Sequence, residues 1–106
     1  MAANAFVHMT LRKAVAKAKP YSAEVRQALS VAYGAAVYFH KNVTQKALVM
    51  SPAERIQWLA TPDVKRAEEY TRGKLGGLKN HGINLLQFSV ADVCESLVEI
   101  YPTLFQ

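Results

Sequence analysis

Apolar side chains recur at helical spacing along most of the 106-residue chain, and proline or glycine interrupts the pattern between segments. Ser22 is the predicted N-cap of a helix that begins at Ala23 and continues to about residue 48. Its middle, residues 28–39, is apolar on nearly every side, which is typical of a helix at the centre of a bundle. Before it, one apolar stripe predicts an amphipathic helix that ends ahead of Pro20. The stripe consists of Val7, Leu11, Ala14, Val15 and Ala18.

Capping residues mark three further helix starts in the second half of the chain. The segment Ser-Pro-Ala-Glu at 51–54 predicts a capping box with proline at the first helical position. Thr61 followed by Pro62 repeats the combination of a cap and a proline. Ser89 is the predicted cap of a last helix, which Pro102 ends.

The glycine-rich segment after the fourth helix is less regular. This helix is predicted to end near residues 74–77, with Gly76 or Gly77 in the left-handed conformation that often terminates helices. Residues 83–88 fit either an extended segment or a short helical turn.

These patterns predict an all-α fold: a compact helical bundle of about five helices with a buried central helix. A chain of this length is expected to form one domain, residues 1–106, around one core. The residues expected in that core include Tyr33, Tyr38, Phe39, Trp58 and Cys94.

The chain is basic overall, and its charge is unevenly distributed. The net charge is +5 and the isoelectric point is about 9.5. Residues 1–50 hold seven Lys or Arg and one acid, a balance of +6, whereas residues 51–106 hold six and seven, a balance of −1. Such a polarised molecule is expected to bind an acidic partner, such as nucleic acid or an acidic protein surface.

The sequence carries no motif for catalysis, for a cofactor or for a metal. The basic stretch at 73–82 has neither the glycine spacing of a phosphate loop nor a strand before it. His8, His40 and His81 have no Cys, His or carboxylate neighbours at ligand spacing. We therefore expect a protein that is not an enzyme and that binds no cofactor, metal or small-molecule substrate.

Cysteine usage and apolar content indicate a cytoplasmic protein. Cys94 is the only cysteine, so no intramolecular disulfide can form, which fits a reducing compartment. The N-terminal residues lack the pattern of a secretory signal, and the longest apolar run is shorter than the ~20 residues that span a bilayer. No membrane partner is expected.

Basic residues in two parts of the chain predict contacts with nucleic acid. The first group lies near the turn after the first helix, almost free of acids and with Tyr21 among the cations; the second lies on the fourth helix and the segment after it. A groove lined by cations and an exposed ring is the usual surface for a single strand, because bases stack on rings while Lys and Arg follow the backbone. The predicted contact residues are Arg12, Lys13, Lys17, Lys19, Tyr21, Arg26, Lys65, Arg66, Arg72, Lys74 and Lys79.

Two simpler interpretations of these residues stay open. On the fourth helix, Glu68 faces Arg72 and Lys65 faces Glu69 at i,i+4 spacing, which would give a solvated, self-paired helix face. Tyr21 would in the simpler case be a turn residue that packs on the core.

A short, basic, all-helical chain without catalytic residues resembles the small anti-CRISPR proteins that phages and mobile elements produce, in particular those acting on type I effector complexes. The resemblance concerns the whole chain as a type and involves no shared motif. It implies a stoichiometric inhibitor in the cytoplasm of a bacterial host, which masks the DNA-binding surface of the effector complex or binds the exposed nucleic acid. The basic first half favours nucleic acid, with single-stranded DNA as the ligand, because a protein that imitates DNA is expected to be acidic.

Two other functions fit the sequence. One is a protein-interaction module that docks a basic helical face on an acidic partner such as a subunit of a defence complex; salt would then change the association rate more than the affinity. The other is a sequence-specific regulator, since the helices at 52–60 and from Pro62 are joined tightly. The start of the second of these helices, however, offers mainly Lys65, Arg66 and two Glu rather than polar residues that read bases.

Overall fold

Helices make up nearly all the regular structure in residues 5–18, 21–85 and 87–104, which are the residues that the computed structural model describes. The α-helices are α1 (Ala5–Lys17), α2 (Ala23–Phe39), α3 (Gln45–Leu48), α4 (Pro52–Leu59), α5 (Pro62–Gly76) and α6 (Val90–Ile100). A π-helical turn joins α2 to α3, and 3₁₀ turns follow α5 and α6; these turns are His40–Thr44, Gly77–His81 and Tyr101–Thr103. The described residues contain no strand, and the predicted all-α fold is confirmed.

Helix α2 lies at the centre of the bundle. Its N-cap is Ser22, whose hydroxyl accepts a hydrogen bond from the backbone N–H of Val25 at 3.2 Å. The helix continues through the π-helical turn and α3 to Leu48, as the sequence predicted. Helices α5 and α6 both pack along α2, while α1 packs on α6.

The hydrophobic core lies between α2, α5 and α6, and α1 closes it on the side of α6. The apolar stripe predicted for α1 faces this core, with Leu11 and Val15 fully enclosed. Tyr33 of α2 is half-buried and stacks on Tyr101, with 4.2 Å between the ring centroids. The buried residues of α6 are Val90, Val93, Cys94, Ser96, Leu97 and Ile100.

The helices of the second half begin where the capping residues predicted. The Ser51 hydroxyl accepts from the Glu54 backbone N–H at 3.3 Å, and the Glu54 carboxylate accepts from the Ser51 N–H at 3.0 Å, which completes the capping box. Thr61 and Ser89 cap α5 and α6, each accepting from the backbone N–H three residues later. A cap of this kind contributes about 1 kcal/mol.

The end of α5 differs from the prediction. Gly76 and Gly77 both keep right-handed helical conformations, each with φ of −61°, and the chain continues as a 3₁₀ turn. The left-handed residue is Gly82, with φ of +80°. The additional turn places Leu78 fully inside the core, which explains why the helix does not stop at the first glycines. Of the segment 83–88, residues 83–85 and 87–88 are in neither a helix nor a strand, and residue 86 lies outside the described residues.

One flank of α2, beside α5, is open to solvent. Phe39 is 2% exposed and belongs to the core, as predicted, but Tyr38 is 46% exposed, so its predicted place in the core is wrong. The physical reason is that α1 packs on α6, and the described helices therefore leave this flank of α2 uncovered. Trp58 lies at the edge of the core, half-buried, and its indole N–H donates to the Val43 carbonyl at 3.2 Å.

Candidate nucleic-acid interface

Part of the predicted N-terminal contact group surrounds the C-terminal turn. Arg12 donates from Nη1 to Oγ1 of Thr103 at 3.1 Å, and the Arg26 guanidinium lies 5.4 Å from the centroid of the Tyr21 ring. The Tyr21 hydroxyl donates to the Leu104 carbonyl at 3.5 Å, and its half-buried ring packs against the core. Tyr21 is therefore mainly a packing residue, which agrees with the simpler of its two interpretations.

The cations of α1 do not form one cluster. Arg12 is engaged with the C-terminal turn, whereas Lys13 and Lys17 are exposed on the other flank of the helix. Lys19 lies outside the described residues.

The predicted cations of α5 are exposed, but they lie on two different flanks. Lys74 lies beside α2, whereas Lys65 lies with Glu68 on the opposite side. Arg72 follows Lys65 by two helical turns and shares that opposite flank. Lys79 is exposed in the 3₁₀ turn after α5.

Two ion pairs were expected on α5, namely Glu68 with Arg72 and Lys65 with Glu69. Among the described residues, neither pair brings a charged nitrogen within 4.0 Å of a carboxylate oxygen. Arg66 instead pairs with Asp63 in the first turn of the helix. Exposed pairs in water gain little free energy, so i,i+4 spacing alone does not hold them together. The self-paired helix face is therefore not what the structure shows, and Lys65 and Arg72 keep their charges open to solvent.

A groove runs between α2 and α5 along the open flank of α2. It consists of two adjoining hollows, of about 480 and 200 Å³, and Tyr38 lines both of them. The first hollow is lined by Val31, Gly34, Ala35, Tyr38, Tyr70 and Lys74. The lining of the second includes Asn42, Lys46, Trp58 and Asp63. The two hollows together are called the aromatic groove below.

Three aromatic rings line the aromatic groove, and lysines accompany two of them. Tyr38 and Tyr70 meet edge to face with 5.9 Å between their centroids, and Tyr70 is 55% exposed. The Nζ atom of Lys74 lies 5.3 Å from the centroid of Tyr70, and the Nζ atom of Lys46 lies 5.8 Å from that of Trp58. Both distances are within the range of a cation–π interaction. The groove therefore combines partly exposed aromatic rings with lysine ammonium groups that lie over two of them.

The local sequence explains how the aromatic groove forms. On α5, Arg66, Tyr70 and Lys74 recur every four residues, which places them on one flank of the helix. On α2, Gly34 has no side chain, and a Cβ atom there would meet no heavy atom within 4 Å, so the floor of the groove is open. The spacing on α5 is a signal that the sequence contained, whereas the exposure of Tyr38 depends on packing far along the chain.

The aromatic groove is positively charged on balance. Lys46 and Lys74 line it, and Arg66 lies at its edge. The carboxylate of Asp63 also lines the second hollow, but it is paired with Arg66. An anionic ligand would therefore meet two lysines without an ion-pair partner of their own among the described residues.

A contact between serine, histidine and a carboxylate joins α1 to α6. The Nδ1 atom of His8 is hydrogen-bonded to the Ser96 hydroxyl at 2.8 Å. Its Nε2 atom lies 3.2 Å from Oε2 of Glu99 but makes no hydrogen bond. Ser96 is fully buried, so a substrate could not reach its hydroxyl, and the contact is a link between two helices.

Thiol chemistry does not fit the site of Cys94. The residue is fully buried in α6, and burial raises the pKa of its thiol to about 12. Because the thiolate is the reactive form, this cysteine is inert at neutral pH. Among the described residues, no group of three or more His, Cys, Asp or Glu side chains could hold a metal ion.

Comparison of the chain with models of protein families, with curated proteins and with solved structures gave no match. Within the described part of the chain, every helix is too short or too polar to cross a membrane. The aromatic groove and the distribution of charge are therefore the observations from which a function can be inferred.

Proposed function

We propose that the protein is a non-enzymatic binder of single-stranded DNA and that the aromatic groove is the site where bases stack. The observation that carries this proposal is the row of Tyr38, Tyr70 and Trp58 along one groove, with lysine ammonium groups over two of the rings. Proteins that bind single strands without sequence preference combine aromatic platforms for the bases with cations along the backbone.

A single strand suits this surface better than a duplex. The bases of a duplex stack on one another and offer only their edges, whereas a single strand can place base faces on protein rings. From Val31 to Lys46, α2 and its continuation extend over about 22 Å at ~1.5 Å per residue, which gives room for several nucleotides. Each stacked base contributes roughly 1–3 kcal/mol to binding.

The lysines of the aromatic groove would neutralise phosphates. Phosphate contacts fix the position of a strand and carry no sequence information, so we expect strong salt dependence and weak sequence preference. Lys13, Lys17 and Lys79 are exposed outside the groove and would add long-range attraction.

The biological role that we propose is inhibition of CRISPR-Cas immunity, as the resemblance to anti-CRISPR proteins implies. The support for this role is the small size, the basic charge and the all-helical fold of the chain. Such a protein would occupy the single-stranded DNA that a type I effector complex exposes, or the surface that binds it. Target-DNA binding by a purified type I complex, measured with and without the protein, tests the role separately from DNA binding itself.

Fluorescence anisotropy with labelled single-stranded DNA, duplex DNA and single-stranded RNA, at several salt concentrations, tests the ligand. We expect single-stranded DNA to bind most tightly, with a log–log salt slope of about −0.7 per neutralised phosphate. Lys74→Ala should weaken binding and reduce the slope by about one phosphate. The matched control is Arg72→Ala, on the opposite flank of the same helix, which should change the affinity less. Equal affinity for the duplex would rule out base stacking, and no binding at low salt would refute the proposal.

Charge reversal on α1 tests the N-terminal cations. The double variant Lys13→Glu, Lys17→Glu should weaken binding and lower the salt slope without unfolding the protein, because both side chains are exposed. An affinity equal to that of the wild type would exclude α1 from the interface.

A further inference from the structure

The second hollow of the aromatic groove contains polar groups that ring stacking and phosphate contacts do not explain. Asp63 and Asn42 line this hollow beside Tyr38, Lys46 and Trp58. A carboxylate is unfavourable in a groove that binds a polyanion, because it repels phosphate. The role of these two side chains toward a bound strand therefore has to come from something other than the backbone of the strand.

Two hydrogen-bond acceptors in this hollow can serve a ligand. The Asn42 amide donates from Nδ2 to the Tyr38 carbonyl at 2.8 Å, which fixes the orientation of the amide and leaves Oδ1 to accept. The Arg66 guanidinium bonds to Oδ1 of Asp63, so the other carboxylate oxygen, Oδ2, can accept from a ligand. The lining thus offers two acceptors, one of which is charged.

The ring and the cation of the hollow complete its chemistry. The indole N–H of Trp58 is not available to a ligand, because it donates to the Val43 carbonyl at 3.2 Å and holds the ring in place. The Lys46 ammonium lies over this ring, with Nζ 5.8 Å from its centroid. A base that stacks on Trp58 displaces the ammonium, and the flexible lysine stem can carry it to the edge of the base.

We propose that the second hollow is a subsite for guanine, a proposal that rests on the binding of single-stranded DNA proposed for the groove. Guanine presents two adjacent donors, the ring N1–H and the exocyclic N2 amine, and two acceptors, O6 and N7. Its donors bond to Oδ1 of Asn42 and Oδ2 of Asp63, while O6 and N7 accept from the Lys46 ammonium.

The other three bases match these groups less well. Adenine and cytosine each present one exocyclic amine beside a ring nitrogen that is itself an acceptor, and thymine presents one ring N–H between two carbonyl oxygens. Each of them therefore places an acceptor opposite Asn42 or Asp63. A polar group that loses water without gaining a partner costs binding free energy, so the mismatch adds to the lost hydrogen bond.

The size of the hollow limits the preference to one nucleotide. Its volume is about 200 Å³, the space of roughly seven water molecules at ~30 Å³ each, which suits a single base. The rest of a bound strand lies on rings and lysines that do not distinguish bases. A preference at one position is therefore compatible with the weak sequence preference expected of the whole groove.

Fluorescence anisotropy with labelled oligothymidylates, each with a different base at its centre, tests the subsite. The strand with guanine should bind about 5-fold more tightly than strands with adenine, cytosine or thymine alone. Inosine keeps the ring N–H of guanine but lacks the exocyclic amine, so the strand with inosine should lose most of this gain.

Two variants of the protein test the residues of the subsite. Asp63→Asn should remove most of the preference for guanine, whereas the affinity for plain oligothymidylate should stay the same or rise, because a charge that repels phosphate is gone. Asn42→Ala should also reduce the preference. The matched control is Glu68→Gln, which removes a charge of α5 that lines a different hollow and should keep the preference.

A structural role for Asp63 would give a different result. Asp63 lies in the first turn of α5, where its charge stabilises the helix, so far-UV circular dichroism checks that each variant is folded. If Asp63→Asn lowers the affinity for all strands by the same factor, the residue acts on the fold and the guanine subsite is refuted.

The failure of the subsite and that of the proposed function can be told apart. Strands that all bind with the same affinity would overturn the guanine subsite and leave the binding of single-stranded DNA in place. Strands that all fail to bind at low salt would refute the proposed function, and the subsite with it.

Discussion

Tyr38 and Phe39 are adjacent in α2, but Phe39 is buried in the core whereas Tyr38 is partly exposed in the aromatic groove. Replacing each by alanine therefore measures separately how much the core residue and the groove residue contribute to stability. Phe39 is 2% exposed, so Phe39→Ala leaves a cavity in the core and should cost about 3–5 kcal/mol of unfolding free energy. Tyr38 is 46% exposed, so only about half of its surface is removed from water. Since full burial of a large apolar side chain is worth ~1.5–3 kcal/mol, Tyr38→Ala should cost about 1 kcal/mol. Part of this cost is offset by the ~0.5 kcal/mol higher helix propensity of alanine.

Urea unfolding followed by far-UV circular dichroism measures both costs. The two variants should differ by at least about 2 kcal/mol, which is a large part of the ~5–15 kcal/mol that stabilises a typical domain. If Tyr38→Ala destabilises the protein as much as Phe39→Ala, the Tyr38 ring packs in the core in solution and the aromatic groove is closed.

The affinity for single-stranded DNA should depend strongly on the Tyr38 ring, although that ring contributes little to the stability of the fold. Tyr38→Ala removes a stacking platform and should weaken binding by about 1–3 kcal/mol, which is roughly 5- to 150-fold in Kd. The matched control is Tyr33→Ala, which removes a ring that stacks on Tyr101 rather than one that lines the groove. Equal losses of affinity in the two variants would contradict the location of the site.

Three further predictions concern the fold. Gly82→Ala should destabilise the protein by about 1–2 kcal/mol, because φ is +80° at this position. Gly77→Ala should be neutral or stabilising, because φ is −61° there and a Cβ atom would have open space. Thermal unfolding of the two variants compares these effects. The pKa of Glu54 is lowered, chiefly by the hydrogen bond from the Ser51 backbone N–H and next by the Ser51 hydroxyl. The capping box therefore contributes stability at pH values above the usual pKa of a carboxyl group, and this contribution is lost as the pH falls through the lowered pKa. In an NMR titration, Ser51→Ala should move the Glu54 pKa upward. Cys94 should react with a disulfide reagent at neutral pH only when the protein unfolds, because burial raises its pKa to about 12; rapid reaction of the native protein would contradict its burial.

Helix starts could be predicted from the sequence because capping is a local interaction. Ser22, Ser51, Thr61 and Ser89 each bond to a backbone N–H three residues later, and nothing distant in the chain is needed to form that bond. The end of α5 could not be predicted in the same way, since it depends on the burial of Leu78 by other helices.

The aromatic groove could be predicted only in part. The four-residue spacing of Arg66, Tyr70 and Lys74 was present in the sequence, and Lys74 was among the predicted contact residues. Tyr38 and Phe39 could not be told apart, because they lie in a stretch that is apolar on nearly every side and periodicity gives no direction there. Which flank stays open is decided by the packing of α1 on α6, a long-range contact that helical spacing does not encode.

The single tryptophan of the chain provides the most direct test of the aromatic groove. Trp58 lines the second hollow, with the Lys46 ammonium 5.8 Å from its ring, so a base that stacks there changes its surroundings. The measurement is a titration of the protein with unlabelled single-stranded DNA while the Trp58 emission is recorded. We predict a saturable change with the affinity that anisotropy gives, and little change with duplex DNA. Tight binding of single-stranded DNA that leaves the Trp58 emission unchanged would contradict the aromatic groove as the binding site.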